Sequence, residues 1–210
     1  MTGPGIVAWL AGEVFDLSLG EALGRVMRRR AEGARHILQE ELSRAQINVA
    51  DAADKDEAAA MVFEYTEAAR QGAARRNLRM LAQIMAGQLV TPPIYANDFL
   101  RWSRIVADLS REEIIVIAAF HREFEDPPPS HPERTIFRRV ADSLTKSSVV
   151  RSGDDLEAVV QGLSRTGLFI QQSGATGGAM AGGTIYVPSP RLSDLMKLVN
   201  IEEVLGEPDR

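Results

Sequence analysis

The chain has 210 residues, of which 45% are hydrophobic, enough for one large domain or two small ones with a buried core. Its 24 Lys and Arg against 29 Asp and Glu give a net charge of −5, which excludes a global attraction to nucleic acid or anionic membranes. The absence of cysteine excludes disulfides, thiol nucleophiles and cysteine-ligated metals, and is compatible with the cytoplasmic location that we expect.

Apolar residues recur at helical spacing through the first half of the chain and predict two long helical stretches. The first spans about 19–46. The second begins after Asp54, which with Glu57 has the spacing of a capping box, and it ends near residue 89, before two prolines. Gly72 either bends this second stretch or divides it in two.

A shorter helix at about 97–109 precedes the clearest helix start in the sequence. Ser110 with Glu113 forms a capping box, which predicts that the next helix spans 111–125. Its run at 114–117 is apolar around most of the circumference, so we expect this helix in the middle of the fold. A strand is the competing interpretation of that run, but the cap before it and the phenylalanines after it favour a helix.

The last third of the chain predicts a winged-helix-like module. After a proline run come helices at 133–146 and 153–165. Two strands follow, at 168–171 and 184–187, joined by a glycine-rich tip, and a final helix begins at about 190. With the helix at 111–125, this gives the three helices and hairpin of a winged helix. We therefore predict a mainly α fold with an N-terminal helical bundle at 1–109 and a winged-helix-like module at 110–210.

The charges of this module argue against DNA reading. A winged helix needs basic residues on its third helix and hairpin tip, because binding depends on neutralising phosphates. Here the third helix begins with Asp154, Asp155 and Glu157, and the tip at 171–183 contains no Lys or Arg. We predict that these three acidic residues face a protein partner instead.

Basic residues concentrate in the two long helical stretches. They are Arg25, Arg28, Arg29, Arg30 and Arg35 in the first, and Arg70, Arg75, Arg76 and Arg79 in the second. If the two helices pack side by side, these arginines form a positive face for RNA, the DNA backbone or an acidic partner. The alternative is a solvated helix face on which they pair with glutamates, namely Glu32, Glu40, Glu41 and Glu67.

No constellation in the sequence points to catalysis. His121 and Glu125 lie four residues apart, with His131 beyond, but two ligands near a helix end are weak evidence for a metal ion. The glycine cluster at 174–183 leads into a strand and carries no lysine, so it lacks the features of a phosphate-binding loop. We predict a non-enzymatic protein without a metal ion or cofactor.

Four short motifs lie at 81–86 (LAQIMA), 98–102 (DFLRW), 109–113 (LSREE) and 165–168 (RTGL). In these motifs the chain resembles a bacterial domain of unknown function found in abortive-infection alpha-type proteins, over roughly half of its length. The proline run at 127–129 and the glycine-rich tip depart from that pattern. The resemblance implies a phage-defence or phage-related setting and carries over no catalytic residues.

These patterns together predict an interaction protein that acts through helix-mediated protein contacts, with itself or with another protein, and that forms homo-oligomers. The alanine-rich and methionine-rich helix faces suit a partner helix. The alternative is a nucleic-acid-binding regulator that uses the arginine-rich helices. No apolar stretch reaches the roughly 18–20 residues of a membrane span, so we expect none.

Overall fold

The computed structural model describes residues 17–49, 52–90, 96–125, 132–173 and 184–207. Within these ranges the chain forms nine helices and one antiparallel hairpin, which confirms the mainly α fold. The elements are α1 (Leu17–Arg44), α2 (Lys55–Gln71), α3 (Arg75–Val90), α4 (Ala96–Val106), α5 (Arg111–Glu125), α6 (Pro132–Lys146), α7 (Gly153–Arg165), β1 (Phe169–Ser173), β2 (Thr184–Pro188), α8 (Pro190–Leu198) and α9 (Ile201–Gly206). None of these helices is long and apolar enough to cross a membrane.

The Ser110 capping box forms as the sequence predicts. Ser110 Oγ accepts a hydrogen bond from the N–H of Glu113 at 3.1 Å, and Glu113 Oε2 accepts one from the N–H of Ser110 at 2.7 Å. Both N–H groups lie at a helix start, where the helix itself offers them no acceptor. Since α5 continues through 114–117, the strand interpretation of this run is wrong.

Gly72 divides the second predicted stretch into α2 and α3. Its φ of 102° lies in the left-handed region, and its N–H donates to the carbonyls of Ala68 and Ala69 at the end of α2. The chain then turns and α3 begins at Arg75. A glycine here ends one helix and sets the direction of the next.

Gly72→Ala is expected to lower the free energy of unfolding by roughly 1–2 kcal/mol, because a residue with a side chain costs that much in the left-handed conformation. Gly153→Ala is the matched control, since a Cβ at Gly153 would meet nothing within 4 Å. We expect the control to change stability by less than about 0.5 kcal/mol. Urea unfolding followed by circular dichroism measures both, and equal losses would contradict the backbone argument.

The hairpin packs back onto the three helices before it, as a winged-helix-like module requires. β1 pairs with β2 in a register that sets Phe169 opposite Pro188. Phe120 of α5 contacts Phe169 of β1 and Phe137 of α6, with ring centroids 5.0 and 6.1 Å apart. These aromatic contacts hold α5, α6 and the hairpin together.

One hydrophobic core runs through both halves of the chain. It contains Leu81 of α3, Ile117 of α5, Leu156 of α7 and Val204 of α9. The short helix α9, which the sequence did not predict, packs against α3 and α5. The core is therefore continuous across residue 109, while the division into domains at 1–109 and 110–210 stays a prediction.

Candidate interaction surfaces

A cluster of arginines and glutamates, here called the ionic cluster, lies where α1, α3 and α9 meet. Its members are Arg44, Arg75, Arg79, Glu40, Glu41, Glu203 and Glu207. Arg79 is at the centre, with a side chain only 8% exposed. Its Nη1 lies 2.5 Å from Glu41 Oε1, its Nη2 lies 2.9 Å from Glu40 Oε2, and it also contacts Glu203 and Glu207.

The charges of Arg79 and Glu40 stabilise one another. Burial lowers the pKa of the Arg79 guanidinium, but its hydrogen bonds to Glu40, Glu41 and Glu207 outweigh burial and hold that pKa above its ordinary value. The hydrogen bond from Arg79 also lowers the pKa of Glu40. Arg79 therefore remains a cation, and Glu40 an anion, at neutral pH.

The outer members of the ionic cluster attach α9 to the rest of the protein. Arg44 of α1 lies 2.5 Å from Glu203, and Arg75 of α3 lies 3.3 Å from Glu207, which directly follows α9. On the other side of α9, Arg122 of α5 contacts Glu202 at 2.6 Å. The last described segment, 202–207, therefore forms ion pairs with α1, α3 and α5, whose paired residues lie more than 75 positions earlier in the sequence.

A cleft of about 330 Å³ opens beside the ionic cluster, between α1, α3 and the α8–α9 connection. Glu41, Arg44 and Glu203 line it, and Arg44 pairs with both glutamates. Lys197, also on its wall, pairs with Asp194 at 2.8 Å. These charged groups serve the fold, and their arrangement offers no nucleophile with an adjacent base.

The structure separates the predicted arginine set into two groups. α1 and α3 do pack side by side. However, Arg76 and Arg79 are only 5% and 6% exposed, and Arg75 is half-buried against Glu207. Burial lowers the pKa of Arg76, and the nearby charge of Arg111 lowers it further. The arginines of α3 therefore do not extend the positive face of α1.

For the arginines of α2 and α3, pairing with glutamates describes the structure better than a shared positive face does. Arg79 pairs with Glu40 and Glu41, and Arg70 pairs with Glu67 at 3.4 Å. Only the Arg70 pair lies on a solvated helix face, because the pairs of Arg79 are largely buried.

The arginines of α1 form the exposed group. We call residues 25–35 the basic segment; it contains Arg25, Arg28, Arg29, Arg30 and Arg35, all exposed, and one acidic residue, Glu32. Among the side chains that the structure describes, none of these five arginines forms an ion pair. Arg30 reaches towards Gly72 at the end of α2, where a cation complements the helix dipole.

The apolar side of α1 changes from covered to exposed along the helix. Ala34 and Ile37 are buried against the bundle, and the hydroxyl of Tyr65 donates to the carbonyl of Ala34 at 2.9 Å. About two to three turns earlier, Val26 is 46% exposed. The basic segment therefore presents an apolar residue together with its arginines.

An acidic face lies on the winged-helix-like module. It consists of Asp154, Asp155 and Glu157 at the start of α7 together with Glu112 of α5, whose charge acts on the neighbouring Arg151. α5 and α7 pack against each other, and the Glu113 carboxylate lies beside Gly162, near the other end of α7. The sequence predicted the three residues on α7. It did not predict that Glu112 joins them, because that depends on the packing of α5 against α7.

Arg151 neutralises part of the acidic face. Its Nε and Nη2 donate to the two carboxylate oxygens of Asp155 at 3.2 and 2.9 Å. These hydrogen bonds, with one from the Arg151 N–H, lower the pKa of Asp155 to about 2. Asp154 and Glu157 are exposed, and in the described part of the chain neither forms an ion pair.

Within the described ranges, the structure does not bring His121 into a set of metal ligands. His121 Nε2 lies 3.5 Å from Glu125 Oε1 on the same helix. Within the described ranges no group of three or more His, Cys, Asp or Glu residues is placed to hold a metal ion. His131, the proline run at 127–129 and the glycine-rich tip at 174–183 lie outside those ranges.

The chain matches no protein-family model, and no curated protein or solved structure matches it. The resemblance to the abortive-infection alpha-type domain therefore stays a prediction. The fold defines a helical protein with a winged-helix-like module, in which a group of five exposed arginines lies on α1.

Proposed function

We propose that this protein is a non-enzymatic interaction protein that associates with itself through helix-mediated contacts. The basic segment of α1 supports this function. It is an exposed helical surface with five arginines, and Val26 is exposed on the apolar side of the same helix. Arginine is enriched at the centres of protein interfaces, because its planar guanidinium binds carboxylates in pairs of hydrogen bonds and also packs over apolar groups.

The overall charge favours a protein partner over nucleic acid. The chain has a net charge of −5, so a second copy offers more carboxylates than guanidinium groups. The third helix of the winged-helix-like module presents Asp154 and Glu157 to solvent. A phage-defence or phage-related setting belongs to this proposal and is supported by the motif resemblance alone.

Light scattering at two salt concentrations tests the proposed self-association. We expect an oligomer at about 0.01 M salt, where the Debye length is about 30 Å, and dissociation at about 1 M salt, where it is about 3 Å. A monomer under both conditions would contradict self-association. An oligomer that is unchanged at the higher salt concentration would contradict a role for the arginines in self-association.

We propose nucleic-acid binding by the basic segment as a second candidate function. Arg25, Arg28 and Arg29 lie on one exposed side of a long helix, an arrangement that suits contacts to successive phosphates. This function predicts retardation of a generic duplex or RNA at low salt, weakened by Arg28→Glu and unaffected by Asp155→Ala. The absence of retardation would exclude it. Arg76 is unsuitable for this test because it is buried.

A further inference from the structure

We propose that the basic segment of α1 binds the acidic face of a second copy of this chain. The inference rests on the proposed self-association and specifies the two surfaces that meet. Both surfaces belong to each copy, so a symmetric pair would form the same contact twice, once in each direction.

The two surfaces carry opposite charges of similar size. The basic segment has five arginines and one glutamate, and without Arg30, which reaches towards Gly72, its net charge is +3. The acidic face has four carboxylates beside Arg151, a net charge of −3. Opposite potentials steer association and fix the register of an interface, while two like surfaces repel.

The spacing of the arginines gives the basic segment one continuous contact side. Arg25, Arg28 and Arg29 are three and four residues apart and therefore lie together on the helix surface. Arg35 follows seven residues after Arg28, on the same side. This side lies opposite the buried stripe that contains Ala34 and Ile37, and its four arginines are exposed.

Asp154 and Glu157 are the acidic residues most available to a partner. They lie three residues apart at the start of α7, and both are exposed. Asp155 between them is already bound by Arg151. That pair shows, within one copy, the two-point contact that arginines of a second copy would make with Asp154 and Glu157.

A charge exchange between two variants tests this contact. One variant is Arg28→Glu with Arg29→Glu, and the other is Asp154→Arg with Glu157→Arg. Each alone is expected to raise the dissociation constant of self-association by about tenfold or more, measured by sedimentation velocity at low salt. An equimolar mixture of the two is expected to associate as the wild type does, because the reversed charges of one variant then meet those of the other.

The matched control is Arg101→Glu with Arg138→Glu, which makes the same change of charge at exposed positions of α4 and α6. We expect it to associate as the wild type does. Because all six positions are exposed, thermal unfolding of the variants should be close to that of the wild type, and this is checked before association is compared.

Three results would overturn the inference. The first is a variant of the basic segment that associates as strongly as the control. The second is a mixture that fails to recover the association lost in the single variants. The third is a monomeric wild type that retards nucleic acid through the basic segment. Only the third also overturns the proposed self-association, since the first two leave an oligomer that forms through other surfaces.

Discussion

Arg79→Met is expected to lower the free energy of unfolding by about 3 kcal/mol, because it leaves Glu40 without an arginine partner and leaves the buried Glu41 with only the more exposed Arg44. Arg79 is the only cation in contact with both Glu40 and Glu41 among the described residues, and the side chain of Glu41 is only 4% exposed. This is the lower end of the stability loss that follows the breaking of a buried ion pair, because Glu40 and Glu203 remain partly accessible to water.

Arg70→Met is the matched control for this variant. Arg70 forms an ion pair with Glu67, but its side chain is largely exposed. We therefore expect a loss of less than about 1 kcal/mol. Urea unfolding of both variants measures the difference. Arg79→Met combined with Glu41→Gln should lose less than the sum of the single changes, and equal losses for Arg79→Met and Arg70→Met would contradict a structural role for the cluster.

Asn77→Asp is expected to lower the free energy of unfolding by about 3 kcal/mol, since each buried polar group that loses its partner costs about 1–3 kcal/mol. Asn77 is buried in α3, and its Nδ2 donates to the carbonyl oxygens of Val106, Ala107 and Leu109 at 2.7, 3.1 and 2.8 Å. The substitution places a carboxylate oxygen opposite these three acceptors and also adds a buried charge.

Asn97→Asp provides the control for this second variant, because Asn97 is exposed in the first turn of α4, where a negative charge is favourable. Its effect on stability should be smaller than about 0.5 kcal/mol. Chemical unfolding at neutral pH compares the two. Equal stability of the two variants would contradict the prediction that the Asn77 side chain stabilises the turn from α4 to α5.

Local signals in the sequence were sufficient for most helix boundaries. The Ser110 capping box and the glycine at 72 act on the residues beside them, so their effects can be predicted without knowing the rest of the fold. α9 has only six residues, too few for a helical repeat of apolar positions. It is stable because Ile201 and Val204 are buried in a core formed mostly by earlier parts of the chain.

The burial of the α3 arginines depends on contacts that are distant in sequence. Arg79 meets Glu203 and Glu207, which are 124 and 128 residues away. One signal was present: Arg79 lies in a mostly apolar stretch, and the structure buries this stretch from 76 to 86. A charged residue within such a run is expected to be paired in the interior rather than to face solvent.

The separation of the arginines into exposed and buried groups is tested most directly by phenylglyoxal modification of the folded monomer at high salt, with the modified residues located by peptide mass spectrometry. Arg25, Arg28, Arg29 and Arg35 are expected to react in the folded protein, because they are exposed on α1. Arg76 and Arg79 are expected to react only after unfolding. Modification of Arg79 in the folded protein as fast as that of Arg28 would contradict the buried ionic cluster and would return the α3 arginines to the surface.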